Sequence, residues 1–255
     1  MPTSAQRARA LKCHPDAQIR LTDDTRVFHL DHMPESRRLP VREGYDLWST
    51  AYDTTDNPVV ALDARETMRI LAPIEGETVL DAGCGTGRNL RAIAAAGCPA
   101  VGVDFSMGML SVARSLLPGI PLVCADISHP LPLDAGSFDA ALCALIGEHI
   151  DDLTALFGSL AEALRPGGRL VFSVYHPELA FDGKEANFTT EGVEYRLGAV
   201  RHTVEDYEEA MAGVGFEKLR RRVFKGDEAL AAVAKSARRY VGRNLLLVLE
   251  GRKPV

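Results

Sequence analysis

Asp81 stands two residues ahead of three glycines at alternate positions, Gly83, Gly85 and Gly87. The apolar run before the acid reads as a buried strand, and the alanine-rich stretch after Leu90 reads as a helix. Such a loop lets backbone amides approach a ligand closely, because no Cβ stands in the way. The Asp81 carboxylate narrows the ligand's chemistry: it repels a phosphate and attracts an ammonium or sulfonium. Two more acids close strand-like runs, Asp104 after Val101-Gly102-Val103 and Asp126 after Val123-Cys124-Ala125. A carboxylate at the end of a second parallel strand can accept both hydroxyls of a ribose. Phe105 and Met109 offer apolar walls for a flat base. Any one of these acids alone reads equally well as a helix cap or turn residue. Three at successive strand ends, with the glycine loop, point to one ligand site.

Two further groups could do chemistry. Tyr45 and Tyr52, spaced by seven with Trp48 between them, fall on one face of a helix. That face reads either as ordinary packing or as an aromatic cover, which attracts a cation and excludes water. His149 and His176 follow the fourth and fifth strand-like runs, where the ends of parallel strands open to a ligand crevice. Both are candidate general bases, with a helix cap (His149) and a turn before proline (His176) as the plain alternatives. His14, His29, His32 and His129 have no comparable position. Phe181, Phe188, Tyr195 and Arg196, with His202 beyond, are candidates to wall an acceptor pocket, and Tyr195 is a weak catalytic candidate.

The elements that must position these groups alternate along the chain. Strands are predicted at Thr78–Asp81, Ala100–Asp104, Pro121–Ala125, Phe138–Cys143 and Arg169–Val174, with helices near 86–96, 107–116 and 151–164 between them. This rhythm predicts an α/β fold, a doubly wound, mostly parallel seven-stranded sheet with helices on both faces. Residues 175–200 are too long for a minimal connection. A helix near 203–213 capped by Thr203, a strand at Gly215–Phe224, a helix near 227–241 and a strand at Asn244–Glu250 complete the sheet. Before it, a helical segment runs from about Tyr45 to Ala72. Residues 1–43 read as an arm, with a hairpin of Ile19–Leu21 and Arg26–Leu30.

A dinucleotide site would need Gly-x-Gly-x-x-Gly, but Arg88 occupies the place of the third glycine and Gly87 precedes it. The motif instead resembles the class I S-adenosylmethionine (SAM)-dependent methyltransferases, in particular the small-molecule, type-11-like group. The resemblance covers roughly residues 45–250. It extends to Leu131–Asp139 before the fourth strand and Leu164-Arg165-Pro166-Gly167-Gly168 before the fifth. It implies a Rossmann-like domain over 44–255 with an N-terminal helical cover and an acceptor-side insertion at 175–202. It also implies SAM as cofactor, held by Tyr45, Tyr52, Asp81, Gly83, Cys84, Gly85, Gly87, Asp104, Phe105, Met109, Asp126 and Ile127. Asp81 would face the methionine end, Asp126 would accept the adenine amino group, and the Ile127 backbone would read the ring edge. The implied activity is methyl transfer to oxygen, nitrogen or carbon of a small organic molecule. A tRNA methyltransferase and a non-catalytic SAM-binding protein remain alternatives. Asp81 and Arg88 disfavour an NAD(P) oxidoreductase.

Composition narrows the classes further. The chain has 255 residues, 46% hydrophobic, and a net charge of −6, which argues against a general nucleic-acid binder. Residues 215–255 nevertheless hold 11 Lys/Arg against 4 Asp/Glu, read as a solvated edge or, alternatively, a patch for an acidic partner. Five cysteines form no zinc-spaced cluster, so no metal site is expected. No apolar run approaches the roughly 18 to 20 residues that span a bilayer, and no secretory signal is evident. The expected setting is cytoplasmic and reducing.

Overall fold

A computed structural model of the chain describes residues 35–255. The expected hairpin over 19–30, most of the expected arm, Cys13, His14, His29 and His32 lie outside the described residues. In chain order the elements are β1 (Glu35–Arg38), α1 (Val41–Trp48), α2 (Pro58–Leu71), β2 (Val79–Ala82), α3 (Arg88–Ala95), β3 (Ala100–Asp104) and α4 (Met107–Leu116). They continue with β4 (Leu122–Cys124), β5 (Phe138–Ala144), α5 (Leu153–Ala163), β6 (Leu164–Tyr175), α6 (Pro177–Phe181), β7 (Asn187–Thr190) and β8 (Val193–Arg196). Last come α7 (Val204–Gly213), β9 (Glu217–Lys225), α8 (Glu228–Val233) and β10 (Asn244–Arg252).

Period-two alternation along the strands decides the architecture. Val79 of β2, Leu142 of β5 and Val248 of β10 join one apolar cluster, while their neighbours Leu80, Cys143 and Leu247 join another. These three central strands are therefore buried on both faces. Leu62 (α2), Leu90 (α3), Leu110 (α4) and Leu230 (α8) cover the first face. Leu156 (α5) and Tyr207 (α7) cover the second. The seven strands lie in the order β4-β3-β2-β5-β6-β10-β9. The first five run parallel and β10 runs antiparallel to both its neighbours. Strand order reverses between β2 and β5, so the crevice of this doubly wound sheet opens at their C-terminal ends.

Four elements differ from the sequence expectation. The helix expected from Tyr45 to Ala72 is two helices: α1 ends at Trp48, Tyr52 starts a 3-10 turn, and α2 begins at Pro58. Proline holds the preceding residue out of the helical region, and Asn57 caps α2 by accepting from the Val59 and Val60 amides at 3.0 and 3.2 Å. Residues 175–200 are not an open loop. They form α6 and a β7–β8 hairpin turning through Glu191-Gly192, both at positive φ. β1 adds to β8 in parallel, so the end of the expected arm is part of a second, three-stranded sheet of order β1-β8-β7. The helix expected over 227–241 stops at Val233. Ala234 is extended at φ −125°, and a 3-10 turn over Lys235–Tyr240 brings Ala237 and Tyr240 back to the core. In the basic C-terminal stretch, Arg221 pairs with Glu205 and Glu208, and Arg222 with Glu250. Among the described residues no helix is long and apolar enough to cross a membrane.

Candidate active site: a switch-point crevice and its aromatic cover

At the end of β2 the chain turns through Gly83, Gly85 and Gly87, all at positive φ. Gly83 has no alternative: a Cβ there would stand 2.6 Å from the Ile146 side chain. Asp104 locks the loop. Its Oδ2 accepts from the Gly85 amide at 2.9 Å, and its Oδ1 accepts from the Ser106 amide at 2.9 Å. Burial raises the Asp104 pKa, opposed by the amides of Ser106, Gly85 and Phe105. Asp126 accepts from the Ser128 amide at 3.0 Å. Arg88 does structural work behind the loop. Its guanidinium donates to the Val60 carbonyl at 2.8 Å and to the buried Asp63 carboxylate at 2.6 Å, tying α2 to the start of α3.

One crevice is lined by Tyr45, Tyr52, Gly83, Gly85, Asp104, Phe105, Met109, Asp126, Ile127 and His149. Ten residues named from sequence therefore meet in one place. Asp81 lies fully buried behind it, and neither carboxylate oxygen has a hydrogen-bond partner. Burial pushes its pKa up to about 7, against the opposing pull of Arg88 and a weaker one from the Leu90 amide, which does not reach hydrogen-bond geometry. Cys84 is buried under the loop and, like Gly87, does not line this crevice; Gly87 faces a neighbouring groove with Thr86 and Arg88. His176 and Tyr195 are not brought to it either. His176 is buried as the N-cap of α6, where Nδ1 accepts from the Glu178 amide, and Tyr195 stacks on Phe188 across the hairpin with ring centroids 5.3 Å apart.

The cover arrives by a different route from the single helix face expected. Tyr45 on α1 and Tyr52 on the turn still converge, with centroids 6.1 Å apart in an edge-on contact. Trp48 anchors them, stacked on Tyr45 at 5.9 Å and on Phe188 at 4.9 Å. The Tyr45 hydroxyl and His149 Nε2 are hydrogen-bonded at 2.9 Å, which joins cover to crevice. His149 Nδ1 is buried without a partner, and burial holds the ring's pKa down to about 4. At neutral pH this imidazole is uncharged and is held by the Tyr45 hydroxyl.

Sequence reasoning missed four residues. Asp46 on α1 accepts from Ser106 Oγ at 2.6 Å and from the Gly108 amide at 2.8 Å, docking the cover on the start of α4. The Arg42 guanidinium sits over the Phe105 ring at 5.3 Å. After β5, Leu145 lines the crevice, and Glu148 lines the space beside it. Asp46 and Glu148 adjoin Tyr45 and His149 in the sequence, but no spacing rule marks them.

The polar set asks for a ligand that is cationic near Asp81, hydroxyl-bearing near Asp104 and flat against Phe105 and Met109. Around Gly85 no heavy atom stands within 4 Å of where a Cβ would be, so the loop is open to such a ligand. SAM has that chemistry, and the residues present fit it. Among the described residues no group of three or more His, Cys, Asp or Glu could hold a metal ion.

A switch-point crevice with this glycine loop and these strand-end acids defines the Rossmann-like fold of nucleotide-cofactor transferases. Residues 80–172 match the family model described as a methyltransferase domain. Over that stretch the chain is similar to the class I SAM-dependent methyltransferases of the type-11 group, whose cofactor is S-adenosyl-L-methionine. A demethylmenaquinone methyltransferase from Clavibacter sepedonicus is 37% identical over 135 residues, 50% of this chain and 54% of that protein. A ubiquinone biosynthesis O-methyltransferase from Ralstonia nicotianae is 31% identical over 140 residues, 53% of this chain and 57% of that one. The chain thus spans little more than half the length of these curated relatives. A SAM-dependent methyltransferase structure from Mesorhizobium loti superposes with a TM-score of 0.63 at 25% identity, covering 75% of this chain and 97% of that one.

Proposed function

We propose that this chain transfers a methyl group from SAM to an oxygen, nitrogen or carbon atom of a small organic molecule. The observation that carries the reading is the buried, unpartnered Asp81 carboxylate behind the glycine loop. Burying a carboxylate without a partner is costly, and a cationic ligand removes that cost. SAM supplies a methyl group activated by a sulfonium. In this reading Asp81 draws the ammonium and sulfonium end, Asp104 accepts the ribose hydroxyls, and Asp126 with the Ile127 backbone reads the adenine edge. Gly83 and Gly85 allow the close approach, with Phe105 and Met109 as apolar walls.

Tyr45 and Tyr52 face the sulfonium end. Burial raises the Tyr45 pKa well above the phenol range and that of Tyr52 to about 12, so both stay neutral and present π-faces to a cation. His149 holds Tyr45 in place. Alignment and exclusion of water supply most of the rate in such a displacement. The domain in this reading begins at β1 rather than at residue 44, because Glu35–Arg38 pairs with the acceptor-side hairpin. Cys84, Cys98, Cys124 and Cys143 are free thiols, which supports a reducing, cytoplasmic setting.

Incubation with SAM and a panel of phenols, amines and acidic metabolites, read as S-adenosylhomocysteine (SAH) release, tests the proposal. Release that depends on an added acceptor and is lost in Asp81→Asn is the expected result. Tight SAH binding with no release for any acceptor would leave a binding protein.

A further inference from the structure

A second chamber adjoins the crevice and shares Tyr45, Tyr52 and Leu145 with it. Trp48, Tyr175, Tyr240 and Glu148 help to line it. The three rings are buried. Glu148 is only 6% exposed, and its Oε2 is buried with no hydrogen-bond partner. The chamber's other acids have partners: Glu185 is ion-paired with Arg38 and Arg196, and the Asp56 carboxylate accepts from the Ser236 amide, while its main-chain carbonyl accepts from the Ser236 hydroxyl. Its cationic side chains, Lys184 and Arg239, are exposed, and the Arg239 guanidinium covers one face of the Tyr240 ring at 5.0 Å. Glu148 and His149 are consecutive in one 3-10 turn, Gly147–His149, so that a single turn serves both spaces. Leu145, which walls both, is held at φ 58°, a strained backbone for a leucine.

We propose that this chamber is the acceptor subsite and takes a small molecule carrying an amine, held as an ammonium against Glu148 Oε2 and among the rings of Trp48, Tyr175 and Tyr240. The proposal rests on the reading of the adjoining crevice as the SAM site. A buried carboxylate oxygen without a partner inside an aromatic box is matched by a cation, through charge and through the ring faces together. Burial pushes the Glu148 pKa up to about 8, and a cation beside it brings the group back to its ionised form. The carboxylate then has a second use. An ammonium has no lone pair; as it gives a proton to Glu148, an N–H bond breaks, an O–H bond forms at Oε2, and the electron pair left on nitrogen is free to accept a methyl group. His149, with its low pKa, could not take that proton as readily.

Calorimetric titration near neutral pH, on the full chain with and without saturating SAH, tests this with two probes of one shape, 2-phenylethylamine and 2-phenylethanol. The amine is expected to bind at least about tenfold more tightly than the alcohol. Glu148→Gln is expected to erase that preference while changing the SAH dissociation constant by less than about twofold. Tyr240→Leu, at the far wall, is expected to weaken the amine several-fold and the alcohol less. Equal binding of the two probes, or a preference that survives Glu148→Gln, overturns the proposal. Failure of SAH to bind would count against the cofactor reading alone, because the amine preference is also measured on the free chain.

Discussion

The crevice and the second chamber share three side chains yet are built in opposite ways. The crevice draws its acids from successive strand ends, and two of the three, Asp104 and Asp126, are fixed by backbone amides of their own loops. Its geometry is a by-product of the sheet. The chamber is assembled from Trp48 on α1, Glu148 after β5, Tyr175 at the end of β6 and Tyr240 before β10. It exists only when elements distant in sequence have docked. A parallel sheet thus presents one site without further organisation, while the site that would choose the acceptor depends on its periphery. Each space also has a carboxylate with unpartnered oxygen beside it, both oxygens of Asp81 behind the first and Oε2 of Glu148 on the wall of the second.

The largest effect expected separates those two acids. Asp81→Asn should weaken SAH binding about 100-fold, the scale of a lost charge-assisted interaction, while leaving the amine preference of the chamber intact. Calorimetry of both ligands on one variant reads the result. Loss of both together would mean that the two spaces are not separable.

Next come the shared walls. Tyr45→Phe and His149→Ala each break the hydrogen bond between cover and crevice. Turnover should fall about tenfold or more, with a much smaller change in SAH affinity. A turnover that follows an imidazole titration near its ordinary pKa would show His149 carrying a proton after all.

The third effect is on stability. Asp81 and Glu148 have folded-state pKa values raised to about 7 and about 8. Acids raised in this way favour the fold below their ordinary values near 4, and that contribution is lost as pH rises through 7 and 8. His149 works in the other direction: its contribution is complete above about pH 6.5 and is lost as pH falls toward 4. Between about pH 6.5 and 8.5 only the acids act, so the free chain should melt higher at the lower pH. Asp81→Asn and Glu148→Gln should each raise the melting temperature near pH 8 by about 2 °C or more and flatten the slope. Thermal denaturation across that range checks both.

The smallest effects belong to residues that resemble site residues by position alone. His176→Ala and Tyr195→Ala should leave turnover within about twofold, and the lost N-cap at His176 should cost at most about 1 kcal/mol. A large loss of turnover in either would move the acceptor site from the Tyr175–Tyr240 side to the hairpin.

The same contrast explains what the sequence allowed one to read. Asp81, Asp104 and Asp126 were legible because strand period, strand end and glycine spacing are local signals. Tyr45 and Tyr52 were placed together for a reason that did not hold. α1 stops at Trp48, short of Tyr52, and packing on Trp48 restores the meeting. The β7–β8 hairpin had a signal that went unused, a two-residue Glu191-Gly192 turn between aromatic and β-branched residues. Glu148 had none. Its neighbours in the sequence are apolar or ambiguous, and the rings that give it meaning are up to a hundred residues away.

The register of β1 on β8 has a kinetic consequence. Glu35 to Arg38 are zipped alongside Val193 to Arg196, the Leu39 amide donates to the Arg196 carbonyl, and α1 follows within three residues. Lifting Tyr45 away from the loop therefore drags the hairpin along or unzips that ladder. In the proposed reading a disulfide from α1 to α4 should slow cofactor entry, whereas one from β1 to β8 should slow it only if opening unzips the ladder.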